Sequence, residues 1–195
     1  MKAFSNYAEV QVNTGSVEKL PVGGYVITIK SVKIENNTGK GYPDNIIFAF
    51  DIAEGEYKGY YAKRFEADTN EDKKWKGTYR LTVPTDDGSE QDGWAKSKFK
   101  GFMTSVEESN PGYKWNWDEQ TLKGKLVGAA VGEINTEIDG KAITYTAMRY
   151  AVSVDSVRKG ITPPKPYTKA GSKTTTTVNL SNPYNVVEEE EIPFG

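Results

Sequence analysis

The sequence predicts an all-β fold: a five-stranded Greek-key barrel with one helix between the third and fourth strands, followed by a flexible C-terminal tail. Three observations support this prediction. Short segments of alternating apolar residues recur between residues 22 and 157, one helical period interrupts them at 92–108, and the composition changes sharply after Lys159. A chain of 195 residues accommodates one such domain, over residues 1–159, and an extension.

The first half of the chain predicts three strands. Residues 22–35 alternate, but the apolar parity changes within the segment, which requires a β-bulge or a sharp bend. Residues 45–53 predict a half-buried strand, because four apolar side chains share one face: Ile46, Phe48, Phe50 and Ile52. Residues 57–66 predict the third strand, and the charged stretch that follows contains a further short strand at 79–83.

One helix and one hairpin complete the pattern. Residues 92–108 have a helical period with five apolar side chains on one stripe: Ala95, Phe99, Phe102, Met103 and Val106. Asp92 is the predicted N-cap, and an Asn-Pro-Gly sequence ends the helix. Residues 125–138 and 141–157 are two long β segments joined by Asp139-Gly140, a strong hairpin signal.

Three strands, one helix and two strands, with a bent first strand, form the chain order of the OB-fold. This five-stranded barrel binds oligonucleotides or oligosaccharides. The same order is compatible with another small antiparallel barrel, or with an α+β sheet that carries one helix. We take the OB-fold as the prediction and keep the other two as alternatives.

The composition removes most catalytic chemistry, because the chain has no His and no Cys. The usual zinc sites, the Ser-His-Asp triad and the Cys-His dyad all need one of these residues. Carboxylate chemistry is left, with four candidate residues: Asp86, Asp87, Glu107 and Glu108. The first two are typical of a turn and the last two of the polar end of a helix. We therefore predict a protein that is not an enzyme and uses no cofactor and no metal.

Aromatic and basic side chains alternate along the predicted barrel, a mixture that suits single-stranded nucleic acid. Each base can stack on an aromatic ring for about 1–3 kcal/mol while Lys or Arg contacts the phosphates. The candidate DNA-binding residues are Tyr60, Tyr61, Lys63, Arg64, Lys74, Trp75, Lys76, Tyr79, Arg80, Trp94, Trp115, Trp117, Tyr145 and Arg149. The pattern of the third strand does not choose between its two faces.

Alternation on the last strand separates core from surface. Met148 and Tyr150 share one face with Val152 and Val154, and we assign this face to the core. Tyr145 and Arg149 point the other way, which suits a ligand-binding surface.

The chain ends in two further segments of distinct composition. Residues 160–187 are rich in Pro, Thr, Ser, Asn and Gly, contain three Lys and no acidic residue, and predict a flexible linker. Residues 188–195 read EEEEIPFG and hold four of the 27 acidic residues. The remaining 22 basic and 23 acidic residues leave residues 1–159 with a net charge of −1. The overall charge of −2 therefore does not exclude a nucleic-acid ligand.

This C-terminus resembles the tail of single-stranded-DNA-binding proteins of bacteria and phages, in which acidic residues precede Ile-Pro-Phe. The resemblance covers seven residues: Glu188, Glu189, Glu190, Glu191, Ile192, Pro193 and Phe194. It implies a docking peptide whose Phe enters an apolar pocket on a replication, recombination or repair enzyme. Gly195 departs from the family pattern, since it places the carboxylate one residue beyond Phe194. The bacteriophage or mobile-element type is the closer resemblance.

The leading hypothesis is a protein that binds single-stranded DNA and recruits partner proteins through its tail. A linker of 28 residues has an r.m.s. span of roughly 30 Å, so the tail could also compete with DNA for the basic surface. The alternative is a carbohydrate- or protein-binding module that uses Trp94, Trp115 and Trp117. The oligomeric state is left open, a homo-oligomer included.

The start of the chain bears on location. The first 15 residues contain one Lys and no apolar segment of signal-peptide length. No apolar run approaches the roughly 20 residues that span a bilayer. We therefore expect a cytoplasmic protein, in a bacterial host if phage-encoded, that has no membrane partner.

Overall fold

A computed structural model describes residues 19–138 and 140–169 of the chain. Within these ranges the elements follow in the order β1 (Gly23–Glu35), β2 (Asn45–Ile52), α1 (Tyr60–Ala67), β3 (Thr78–Thr82), α2 (Glu90–Ser109), β4 (Leu126–Ile138), β5 (Lys141–Val152), α3 (Val154–Lys159) and β6 (Tyr167–Thr168). Short 3-10 turns lie at Thr38–Lys40 and Glu119–Leu122.

The strands form one sheet in the order β3-β2-β1-β4-β5, and the short β6 also pairs with β4. The five main strands are antiparallel to their neighbours, whereas β6 runs parallel to β4. The predicted β-dominated class is confirmed, although three helices, rather than the predicted one, accompany the strands in the described ranges. Among the described residues the edge strands β3 and β5 are not paired with each other, so the sheet is open.

One face of the sheet and helix α2 enclose the core. The predicted face of β2 is confirmed, since Ile46, Phe48, Phe50 and Ile52 are all buried. The predicted change of face in the first strand is also confirmed, because the β1–β2 register shifts between Ile29 and Ser31. Four of the five predicted apolar side chains of α2 are buried against this face: Phe99, Phe102, Met103 and Val106.

The predicted strand over residues 57–66 is wrong, because this segment contains helix α1. Gly59 precedes the helix in the left-handed region, at φ 73°, and has no side chain to cap it. The cap comes instead from Asp51 of β2, whose carboxylate accepts hydrogen bonds from the backbone N–H of Tyr61 (2.9 Å) and Ala62 (3.2 Å). A cap supplied from another element leaves no local sequence signal.

The predicted N-cap of the long helix is also displaced. Ser89 is the N-cap of α2, and its hydroxyl accepts a hydrogen bond from the N–H of Asp92 at 3.1 Å. The Asp92 carboxylate instead accepts from the backbone N–H groups of Thr85 (2.8 Å) and Asp86 (3.1 Å), which fixes the preceding loop. Asn110 follows the helix as its C-cap, as the sequence predicted.

The last predicted strand is too long, and its alternation is broken. β5 ends at Val152, and Ser153 caps the short helix α3. The β4–β5 register skips Arg149, because Ala130 pairs with Tyr150 while Val131 pairs with Met148. This bulge switches the parity, so Met148 is buried but Tyr150 is 44% exposed. The assignment of Tyr150 to the core is therefore wrong.

Residues 161–168, which we call the strap, lie on the outer face of the sheet within the stretch predicted as linker. Glycines on β1 and β4 make room for the strap and for α3. A Cβ at Gly24 would lie 2.8 Å from Ile161, and a Cβ at Gly132 would lie 2.9 Å from Pro164. A side chain at either position would therefore require the strap residue above it to shift.

Candidate functional site

A cleft of about 660 Å³ opens between the two edge strands of the sheet. β3 contributes Tyr79, β5 contributes residues 149–151, and α2 and the strap form the other sides. The lining residues in the described part of the chain are aromatic, basic, small or hydroxylic, with no carboxylate: Tyr79, Lys98, Gly101, Phe102, Arg149, Tyr150, Ala151, Thr162, Pro163, Pro164 and Lys165.

Two tyrosines give the cleft its aromatic character. Tyr79 stacks on Phe102, with ring centroids 5.7 Å apart and planes 9° apart, and Phe102 in turn stacks on Phe48 at 4.5 Å. Contact with the core therefore fixes one face of the Tyr79 ring. Burial raises the pKa of its hydroxyl, so this group is uncharged at pH 7. Tyr150 is the more exposed of the pair and can adjust to a ligand.

Three cationic side chains line the same space. Lys98 and Lys165 are exposed, and within the described part of the chain neither they nor Arg149 form an ion pair with a carboxylate. The Arg149 guanidinium lies over the Tyr167 ring, 4.6 Å from Cζ to the ring centroid. Its Nη1 is buried and lacks a hydrogen-bond partner among these residues, so the donor capacity of this guanidinium is not fully used by the described chain.

Trp94 extends this surface along α2. It precedes Lys98 by four residues and Gly101 by seven, a spacing that places all three on one side of a helix. The indole is 66% exposed, so it can stack on a planar group beside the cleft.

A second aromatic group lies beside Phe99. Trp117 is 79% exposed and stacks on the buried Phe99 with centroids 6.0 Å apart, and Trp115 lies 6.1 Å from both rings. Trp117 has φ 67°, a strained conformation for a bulky residue. The Glu107 carboxylate accepts from the Trp115 backbone N–H at 2.9 Å, which holds the loop against α2. None of these residues lines the cleft.

Two predicted site residues near α1 are structural. Tyr61 is buried at 7% exposure and meets Phe50 edge to face, so its ring belongs to the core. Trp75 is half-buried, and its indole Nε1 donates to the Phe50 carbonyl oxygen at 3.0 Å. Tyr61 is therefore shielded from solvent, whereas Trp75 is only partly buried.

The other predicted residues of this region lie around α1 and the following loop, outside the cleft lining: Tyr60, Lys63, Arg64, Lys74 and Lys76. Arg64 donates to the Tyr60 hydroxyl at 3.0 Å. Burial lowers the pKa of Lys76, whose Nζ has no hydrogen-bond partner among the described residues.

Arg80 and Tyr145 also lie outside the cleft. Arg80 is paired with Ile47 on the outer face of the sheet and forms an ion pair with Glu35 at 3.5 Å. Tyr145 is half-buried and lies opposite Ile134 in the β4–β5 pairing. The cleft therefore brings together two of the predicted residues, Tyr79 and Arg149, with Trp94 beside them.

Two of the four candidate catalytic carboxylates, Asp87 and Glu107, accept hydrogen bonds from backbone N–H groups. Asp87 accepts hydrogen bonds from the Ser89 N–H (2.8 Å) and the Thr85 hydroxyl (2.9 Å), and Asp86 has the positive φ of a turn residue. Glu107 also accepts from the Lys114 ammonium at 2.9 Å, and this contact is the main reason for its lowered pKa. Glu108, the fourth, is exposed on α2. In the described ranges no three Asp or Glu side chains are grouped to hold a metal ion.

Sequence reasoning missed two of the three cations and one of the two tyrosines that line the cleft. Lys98 resembles any solvated helix position, although its spacing from Trp94 was a usable signal. Lys165 fell in the predicted linker. Tyr150 was assigned to the core because the bulge at Arg149 has no signature in the sequence.

The tail, residues 188–195, lies outside the described residues. In the described part of the chain, no helix combines the length and the hydropathy that crossing a bilayer requires. Comparison with known proteins found no family model that matches the chain and no matching curated protein.

Proposed function

We propose that this protein binds single-stranded DNA without catalysing a reaction, and that the cleft between β3 and β5 holds the strand. The observation that supports the proposal is the lining. Tyr79 and Tyr150 contribute aromatic rings to it, and Lys98, Arg149 and Lys165 place positive charge beside them without a described carboxylate.

The two kinds of side chain match the two parts of a nucleotide. A base stacked on a tyrosine contributes about 1–3 kcal/mol and needs no particular sequence, because every base has an aromatic face. The cations neutralise phosphates and release counterions, which makes affinity fall as salt rises. A cleft open to solvent suits an unpaired strand, whose bases are free to stack.

The finer fold assignment belongs to the same proposal: the sheet is an OB-fold whose opening between β3 and β5 is the cleft. Two features support it. Three main strands precede α2 and two follow it, and β1 is central in the sheet, between β2 and β4. OB-folds are partly open barrels that bind oligonucleotides on one face, so an open seam is compatible with the assignment.

In the cell, this activity would coat and protect single-stranded DNA during replication or recombination. The resemblance of residues 188–194 to the family tail adds recruitment of partner enzymes to the proposal. The four carboxylates would steer the tail to a basic partner, and Pro193 would reduce the entropy lost when Phe194 docks.

Two matched pairs of variants in the full chain test the binding site. Tyr150→Ala should weaken binding of oligo-dT about fivefold or more, since it removes one stacking ring, whereas the exposed Tyr42→Ala should have no effect. Lys98→Ala should lower the slope of log K against log salt by about 0.7, and Lys100→Ala on the same helix should leave it unchanged. Fluorescence titration at several salt concentrations measures both quantities.

The proposed function fails if the wild-type protein binds oligo-dT no better than duplex DNA, or binds neither. If the wild type binds oligo-dT but each cleft variant behaves like its own control, the cleft is not the binding site. The proposed function would still stand. Circular dichroism of each variant establishes that the fold is retained.

A second candidate function rests on the exposed Trp117, which is held on Phe99 in a strained backbone conformation. Such an aromatic platform suits a sugar ring or an apolar side chain of a partner protein. Tryptophan fluorescence titrated in parallel with oligo-dT and with oligosaccharides separates the two functions. A response to oligosaccharides alone, lost in Trp117→Ala, would favour the second.

A further inference from the structure

The strap is attached to the sheet at both ends of its path beside the cleft. Near its start, Ile161 packs against Gly24 of β1. At its end, Tyr167 and Thr168 pair with Ile134 and Asn135 of β4. Thr162 to Lys165, between these two points, line the cleft. The strap is therefore one side of the cleft.

Arg149 connects the strap to the cleft. It is the bulged residue of β5, and its aliphatic stem lies over Gly132 together with Pro164. A Cβ at Gly132 would lie 3.0 Å from the Arg149 Cγ, so the missing side chain leaves room for both neighbours. Beyond the stem, the guanidinium lies over the Tyr167 ring while Nη1 has no described partner.

We propose that the strap belongs to the nucleic-acid site and that Tyr167 is a positioning residue, which holds Arg149 ready to contact a phosphate of the strand. This inference rests on the proposed function. An interaction through the face of a guanidinium leaves its in-plane N–H donors for phosphate oxygens. A side chain that is already held loses less rotamer entropy when it binds.

Two substitutions of Tyr167 in the full chain distinguish the effect of its aromatic ring on DNA binding from the effect of its size. Tyr167→Phe keeps the aromatic face and should bind oligo-dT like the wild type. Tyr167→Leu removes it and should weaken binding about two- to fivefold, the range expected for an exposed cation–π contact. Tyr167→Trp, with the better ring for a cation, should bind at least as tightly as the wild type. Tyr42→Leu is the matched exposed control.

A double-mutant cycle makes the role of Tyr167 specific. Arg149→Ala should weaken binding and lower the salt slope by about 0.7, the contribution of one phosphate contact to a single strand. In that background Tyr167→Leu should add no further loss, because the residue that it positions is gone. The melting temperatures of the single Tyr167 variants should agree with that of the wild type, since Tyr167 is 48% exposed, and those of the two variants that carry Arg149→Ala should agree with each other.

Each outcome decides the inference. Additive losses, or equal binding by the Leu and Phe variants, would overturn the positioning role while leaving the proposed function in place. Unchanged binding in Arg149→Ala would remove both residues from the site. Absence of oligo-dT binding by the wild type would overturn the proposed function and this inference together.

Discussion

Single buried carboxylates accept hydrogen bonds from backbone N–H groups, including groups of elements distant in the chain. Asp51 is buried at 4% exposure, and its Oδ1 accepts from the N–H groups of Ile52 (2.8 Å) and Tyr61 (2.9 Å). The first N–H groups of a helix have no partner within the helix, so this distant acceptor caps α1 after Gly59. A residue that alternation assigns to a strand is thereby also a helix cap.

Asp92 has a comparable role that can be tested by pH. Hydrogen bonding to Lys96 is the main cause that lowers the pKa of this carboxyl, and the backbone N–H groups of Asp86 and Thr85 add to it. Because the pKa is lower in the folded state, the stabilisation is present above the ordinary value of about 4. It is lost as the pH falls through the folded-state value.

Asp92→Asn should therefore lower the urea midpoint at pH 7, and the difference from the wild type should shrink as the pH falls below about 4. Urea unfolding followed by circular dichroism across this range measures it. Asp72→Asn, at an exposed loop position, is the control. A difference that stays constant with pH would show that the charge of Asp92 is not what stabilises the loop.

At the scale of elements, the distance from the Cβ position of a glycine to neighbouring atoms decides whether a larger residue can replace that glycine. Gly77 precedes β3, and its carbonyl accepts from the Phe50 N–H at 2.7 Å. A Cβ there would overlap the Phe50 carbonyl oxygen and lie 2.7 Å from the Tyr61 ring. Gly93, inside α2, has open space around its missing side chain.

Gly77→Ala should lower the free energy of unfolding by about 2 kcal/mol or more, because backbone must move to admit the methyl group. Gly93→Ala should raise it by up to about 1 kcal/mol, since alanine favours a helix interior over glycine. Urea titrations of the two variants beside the wild type give both values. Equal effects of the same sign would contradict this description of their surroundings.

At the scale of the whole molecule, charge is divided among segments. Residues 1–159 have a net charge of −1, the 28 residues that follow carry three Lys, and the last eight carry four Glu. The same chain thus contains a cationic cleft and a short segment of concentrated negative charge that can compete with DNA for it. Competition between this charge and DNA is strongest at low salt, where screening is weakest.

Deletion of residues 188–195 should therefore tighten binding of oligo-dT at low salt and have little effect at high salt. A full-length variant in which the four glutamates are replaced by glutamine should behave like the deletion, because charge alone is removed. Titrations at two salt concentrations provide the comparison. Equal affinities of the deletion and the wild type at low salt would reject the competition.

Prediction from the sequence worked best for elements whose own residues show a clear apolar periodicity. β2, α2 and the β4–β5 hairpin follow from local periodicity, and the bulge in β1 followed from a change of apolar parity. It failed for α1, capped from β2, and for Tyr150, turned outward by a bulge that alternation does not reveal. Among the residues that line the cleft, the sequence prediction included Tyr79 and Arg149 but not Lys98, Lys165 or Tyr150.

The sequence by itself determined the β-dominated class, the long helix, the absence of His and Cys and the partition of charge, because composition and periodicity are local properties. Only the tertiary structure decided that the edge strands stay apart, that the strap returns across Gly132, and that Arg149 lies over Tyr167. These features depend on contacts between residues that are far apart in the chain. The free energy of such contacts cannot be read from any short segment of the sequence.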